Sequence, residues 1–145
     1  MEADEGPTRV LLVDGSPALL WGLGKLIEGE YPRMAVVGAV RSADEALVYC
    51  DLLPHVTLLD LELPGGSSLG FIPAIRERSR GEVLVFSGIR DERVHQQAMA
   101  LGAVAVIPKD APGEAVLRAI VAARGGSFVT ARKGGGSDVR EAPRT

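Results

Sequence analysis

Asp60 closes the apolar run Val56-Thr57-Leu58-Leu59 and is followed by Leu61-Glu62-Leu63-Pro64-Gly65. A carboxylate at the end of a buried strand is costly unless partners hold it, so Asp60 should have partners and a task. A second run, Arg9-Val10-Leu11-Leu12-Val13, also ends in an aspartate, Asp14, and the next residue is Gly15. Two later runs lead into Ser87 and Lys109. In open parallel sheets the ligand site lies at the carboxyl ends of the strands, so these four side chains would converge on one crevice. The set suits phosphoryl transfer to a carboxylate. The aspartate attacks phosphorus, the hydroxyl and ammonium bind the moving phosphoryl oxygens, and the acids hold Mg²⁺.

The elements that must position these groups are legible as alternation. Short apolar runs at Arg9–Val13, Met34–Val40, His55–Leu59, Glu82–Phe86 and Val104–Ile107 lack polar alternation, as expected of parallel strands covered on both faces. Amphipathic stretches separate them. Ser16 and Pro17 open a first helix with Leu19, Leu20, Leu23, Leu26 and Ile27 along one side. Ser42-Ala43-Asp44-Glu45 is a capping-box pattern for a second helix, which must stop before Pro54. Pro73 requires the third helix to start late, near Ile72, or to kink. Asp91-Glu92 opens the fourth, which ends near Gly102. The fifth starts around Pro112 and is expected to place Val116, Leu117, Ile120 and Val121 on one face before Gly125-Gly126. Five βα units predict a doubly wound α/β sandwich rather than an eightfold barrel.

At 145 residues the chain is one domain plus tails, and 46% hydrophobic with 24% charged residues is ordinary for a soluble globular protein. A net charge of -3 and the absence of a basic stripe argue against direct nucleic-acid binding. The acidic N-terminus is not a signal peptide, and no apolar run has membrane-spanning length. A cytoplasmic location is expected. The single cysteine, Cys50, is expected to be buried and inert in a reducing compartment.

Taken together in order and spacing, Val10-Leu11-Leu12-Val13-Asp14, Leu58-Leu59-Asp60-Leu61-Glu62-Leu63-Pro64-Gly65, Val85-Phe86-Ser87-Gly88 and Gly102-Ala103 through Lys109-Asp110 resemble a response-regulator receiver domain. Pro17 three residues after Asp14, Val36-Val37-Gly38-Ala39, Asp110 after Lys109, and Ala119-Ile120 leading to Gly125-Gly126 are similar to the NarL/LuxR-type subfamily. The resemblance implies a flavodoxin-like (βα)5 fold with strand order 2-1-3-4-5. It implies an unstructured segment 1–7, a receiver over 8–128, and a tail or linker to an output domain over 129–145. It implies two-component (phosphorelay) signalling that regulates transcription through an output domain or partner. Asp60 would accept phosphate from a sensor histidine kinase, and Ser87 and Lys109 would contact the phosphoryl group. Asp14, Asp60 and the backbone carbonyl of Glu62 would hold Mg²⁺. A homodimer is the expected assembly, and no catalytic residue of an enzyme is expected.

Two positions depart from that family's pattern. Gly15 stands where a second acid usually binds the metal, so Mg²⁺ binding is expected to be weakened and phosphorylation impaired. Val106 stands where the family carries an aromatic or His switch residue, and valine has neither a polar tip nor rotamer freedom to report on the site. A phosphorylation-independent interaction module is therefore the alternative function. An aspartate-nucleophile phosphohydrolase is more remote, because Glu62 stands where such enzymes place a second aspartate and no cap insertion is present. A flavodoxin-type nucleotide domain lacks its glycine-rich fingerprint after strand one.

The mundane readings are fewer here than usual. Asp60 could simply cap its turn, Asp14 could simply pair with Lys109, Ser87 could bond local backbone, and Lys109 could be a surface lysine. His55 and His95 have no metal-ligand companion at useful spacing, and Trp21 and Phe71 read as core or interface residues.

Overall fold

The structure is a computed structural model that describes residues 6–126 and 140–141. Five strands, β1 (Thr8–Val13), β2 (Met34–Val40), β3 (Val56–Leu59), β4 (Glu82–Ser87) and β5 (Ala103–Pro108), pair in parallel in the order β2-β1-β3-β4-β5. The central strand β3 is buried at every position, which is why its sequence shows no polar alternation. Five helices cover the faces: α1 (Pro17–Glu28), α2 (Ala43–Tyr49), α3 (Ile72–Ser79), α4 (Glu92–Ala100) and α5 (Gly113–Gly125).

Because strand side chains alternate, the sheet builds two cores. Val10, Leu12, Leu58, Leu84 and Phe86 meet Leu20, Leu23 and Ile27 of α1 and Val116 and Ile120 of α5. Leu11, Val13, Leu59, Val83 and Val85 meet Ala43 and Ala46 of α2, Ile72 and Ile75 of α3 and Ala98 of α4. Removing the apolar area of such side chains from water is the main stabilising term, about 1.5–3 kcal/mol for each large one.

The helix starts follow their caps. The Ser16 hydroxyl accepts from Leu19 N–H at 3.2 Å, and Asp91 accepts from Arg93 N–H at 2.9 Å. At α2 the Ser42 hydroxyl accepts from Glu45 N–H at 3.1 Å, while the Glu45 carboxylate accepts from the N–H of Arg41, one residue before the cap, at 3.4 Å, so the expected capping box is offset by one residue. Pro73 sits in the first turn of α3, where its missing N–H has no intrahelical partner to lose. A single 3₁₀ turn, Cys50–Leu52, ends the α2 segment before Pro54. Cys50 is buried, and burial pushes its thiol pKa up, partly countered by Arg78 and reinforced by Asp51.

One expectation is corrected. Val121 is 60% exposed rather than on the buried face of α5, whose inward positions belong to Ala119 and Ala123 beside Val116 and Ile120. Trp21, expected in the core or at an interface, is 68% exposed on α1 with the Lys25 ammonium 5.7 Å from its ring centre, which leaves the interface alternative. Phe71 packs partly buried against the second core.

Within the stretch read as a flexible tail, Arg140 and Glu141 form a short strand, β6, antiparallel to β5 with Arg140 opposite Val106 and Glu141 opposite Ala105. The remainder of that stretch from 127 onward, and residues 1–5, lie outside the described residues. No helix among the described residues is long and apolar enough to cross a membrane.

Candidate functional site

All four residues predicted to converge lie at the carboxyl end of the sheet. Asp14 directly follows β1 and Asp60 directly follows β3; their backbone N–H groups donate to Val40 O (3.0 Å) and Val13 O (2.9 Å). The neighbouring strands thus fix both aspartates before any side chain acts. Ser87 ends β4, and its carbonyl accepts from Lys109 N–H at 3.0 Å.

Three of the four meet directly. The Lys109 ammonium lies 2.8 Å from Asp14 Oδ2 and 3.0 Å from Asp60 Oδ2, bridging two carboxylates whose residues are only 2% and 5% exposed. The other oxygen of each acid is also held. Asp14 Oδ1 accepts from Ser16 N–H at 2.9 Å and Asp60 Oδ1 from Glu62 N–H at 3.1 Å. Burial alone would lower the Lys109 pKa, but the hydrogen bonds and charges of Asp14 and Asp60 outweigh it and raise the pKa above its ordinary 10.5. The fourth residue does not touch the acids. Ser87 Oγ instead accepts from Ile89 N–H at 2.9 Å, which leaves its own proton free to donate.

Gly15 is where the cluster is thin. A side chain there would project between Pro64, with Cδ 3.0 Å from the added Cβ, and the Glu62 carbonyl oxygen at 3.9 Å. An acid at this position would therefore share a site with the carbonyl expected to ligate a metal. Without it, a cation would draw on Asp14, Asp60 and the Glu62 carbonyl, a sparse oxygen set that Mg²⁺ accepts only when water completes its octahedron. The Glu62 side chain is itself exposed, and no group of three His, Cys, Asp or Glu side chains suited to a metal gathers among the described residues.

Two contributors escaped the sequence reading. The buried Ser68 hydroxyl donates to the Asp60 carbonyl at 2.7 Å and so pins the loop that follows the acid. That loop is a two-residue antiparallel ladder, Glu62–Leu63 with Gly66–Ser67, turned by Pro64-Gly65. Arg41, just past β2, donates from Nε to the Gly15 carbonyl at 3.0 Å. The only sequence signal for Arg41 is that the strand beside β1 ends one residue earlier. Val106 is buried in the second core, and its backbone pairs with Arg140.

A sequence model of the response regulator receiver domain matches residues 10–121. The chain belongs to this family. This receiver is 32% identical over 129 residues to the nitrate/nitrite response regulator protein NarL of Escherichia coli K12, covering 88% of this chain and 59% of that protein. It is 39% identical over 107 residues to protein-glutamate methylesterase/protein-glutamine glutaminase 3 of Myxococcus xanthus, where the match takes in 71% of this chain but 30% of that protein. The chain thus spans about three fifths of the first of these relatives and under a third of the second. Among solved structures, the signal receiver domain of the response regulator NarL from Mycobacterium tuberculosis superposes with a TM-score of 0.76 at 25% identity, covering 83% of this chain and 98% of that one. A LuxR-family two-component response regulator from Aurantimonas superposes at 0.75 with 29% identity, covering 83% and 86%. The chain therefore shares the receiver fold with these two solved structures.

Proposed function

We propose that this receiver signals with Asp60 as its phosphoacceptor, and that Gly15 weakens Mg²⁺ binding and so impairs the Mg²⁺-dependent reaction. The observation that carries the reading is the Lys109 ammonium bridging Asp14 and Asp60 at 2.8 and 3.0 Å. Two carboxylates and one ammonium leave the cluster with a net charge of only about −1, so a divalent cation gains less here than in a three-acid pocket. Ser87 and Lys109 would take the phosphoryl oxygens, with Ser87 exchanging its bond to Ile89 N–H for one to phosphate. Mg²⁺, where bound, would supply charge neutralisation between Asp14, Asp60 and the Glu62 carbonyl.

The receiver would span residues 8–128 and act on transcription through an output domain or downstream partner, with a sensor histidine kinase as phosphodonor in the cytoplasm and no enzymatic activity of its own. A receiver similar to this one, that of beryllofluoride-activated NtrC4, is a dimer, and a homodimer is the assembly we propose here. A second reading, a phosphate-independent interaction module, is favoured by the same bridge, since Lys109 already satisfies both acids without metal.

The test is incubation with acetyl phosphate or beryllofluoride across a Mg²⁺ series, with intact-mass and NMR readout of Asp60. Slow, partial modification that saturates only at high Mg²⁺ supports the first reading, and none at any Mg²⁺ supports the second. Stoichiometric modification at ordinary millimolar Mg²⁺ would show that Gly15 does not limit the site.

A further inference from the structure

Beside the acids, but not including them, lies a cavity of about 240 Å³ whose walls include Ser87, Ile89, Arg90, Val106, Pro108 and Lys109. An apolar cavity of about 150 Å³ is enough to take up benzene, so this one has room for a ring and one small substituent. It is smaller than the roughly 300 Å³ at which drug-sized pockets begin, which limits the ligand to fragment size.

The walls divide by chemistry. Ile89, Val106 and Pro108 supply apolar surface, and the side chain of Val106 is too short to fill the space it faces. The polar groups are chiefly donors. Lys109 has three N–H bonds and spends two on Asp14 and Asp60. Ser87 Oγ accepts from Ile89 N–H and so keeps its own proton for another acceptor. Arg90 adds a guanidinium at the rim, where it pairs with Asp110 at 3.2 Å.

The wall is also preformed. The Ile89 peptide is gripped on both sides, its N–H by Ser87 Oγ and its carbonyl by His95 Nε2 at 2.7 Å. The Nε2–H donates in that bond, and the buried Nδ1 on the other side of the ring has no partner among the described residues. A cavity whose wall is already fixed loses less ordering entropy on binding than one that must assemble.

We infer that this cavity binds a ring-sized apolar molecule bearing one hydrogen-bond-accepting oxygen, with the ring on Val106, Ile89 and Pro108 and the oxygen facing Ser87 and Lys109. Carboxylates and neutral carbonyl compounds share that chemistry. The inference does not depend on Asp60 being phosphorylated, and its test uses the full chain without Mg²⁺ or phosphodonor.

Benzoate, benzamide and toluene serve as probes in an amide NMR titration. Benzoate or benzamide should shift the Gly88, Ile89 and Val106 resonances saturably below roughly 10 mM, and toluene should bind at least about threefold more weakly, the loss of one hydrogen bond. Preference for benzamide over benzoate would identify a neutral ligand, and the reverse an acid. Val106→Phe should fill the cavity and abolish the response. If that variant does not fold, Val106→Leu should still weaken binding severalfold. Non-saturating shifts, equal binding of toluene, or wild-type affinity in the folded Val106 variant would each overturn the inference.

Discussion

Restoring an acid at position 15 is the perturbation that isolates what this receiver lacks. Gly15→Asp puts a carboxylate near the Glu62 carbonyl, in a gap tightly bounded by the Pro64 ring. A carboxylate about 4 Å from a divalent ion contributes about 2 kcal/mol even at the dielectric of water, since the ion carries twice unit charge. That corresponds to about a thirtyfold gain in Mg²⁺ affinity. Two costs oppose it. The new Cβ meets Pro64 Cδ at 3.0 Å, so the proline must yield by a few tenths of an ångström. In the absence of metal the acidic cluster also gains a second uncompensated charge, which should destabilise the fold by about 1 kcal/mol. The expected signature is therefore paired: tighter Mg²⁺ binding by calorimetry, and lower stability to urea in EDTA that millimolar Mg²⁺ restores. Gly15→Ala introduces the same Cβ without charge and separates crowding from electrostatics. A folded Gly15→Asp protein whose Mg²⁺ affinity equals that of the parent would refute the reasoning, because Gly15 would then not be the missing ligand.

The other expectations concern the groups around that pocket. Lys109→Met strips two buried acids of their shared partner and should cost about 2–3 kcal/mol in urea unfolding near neutral pH, below the range for fully buried pairs because Lys109 is partly exposed. Because the folded Lys109 pKa lies above its ordinary 10.5, the stabilisation is fully present below that pH and is lost as pH rises through the folded value. An alkaline stability profile should show this loss in the parent and not in the methionine variant. Ser68→Ala removes the 2.7 Å bond to the Asp60 carbonyl and should destabilise by about 1–2 kcal/mol while raising amide exchange in the 61–68 loop. Cys50, buried with a raised thiol pKa, should resist a thiol-specific reagent in the native protein and react fully in urea; native-state labelling at the unfolded rate would contradict its placement.

Much of this structure could be read from residue order because local and global preferences agree. Unbroken apolar runs located all five parallel strands, and Pro73 correctly delayed α3 to Ile72. The acids, the hydroxyl and the lysine were legible because each terminates a strand, and strand ends in a parallel sheet share one rim. The error on α5 has a geometric cause. Val116, Leu117, Ile120 and Val121 span about 140° of the helix, wider than the contact, and the true stripe is centred toward alanines that a hydrophobic pattern underweights. Ile120 is fully buried while the adjacent Val121 is 60% exposed. Ser68 and Arg41 were missed for a different reason. Each acts on a backbone carbonyl, of Asp60 and Gly15 respectively, and every residue has one, so nothing in the side-chain sequence marks the partner.

The short strand β6 has a consequence for how this protein behaves in company. An open sheet has two margins, and each presents unpaired N–H and C=O groups that can recruit a strand from another molecule. The β2 margin is broken by a register shift between Val10 and Leu11 in its pairing with β1. On the other margin, Arg140 and Glu141 occupy the edge of β5 at Ala105 and Val106, the middle of its six residues. The chain therefore carries its own plug against edge-to-edge stacking, and shortening it before Arg140 would trade a self-contained particle for one with a sticky side.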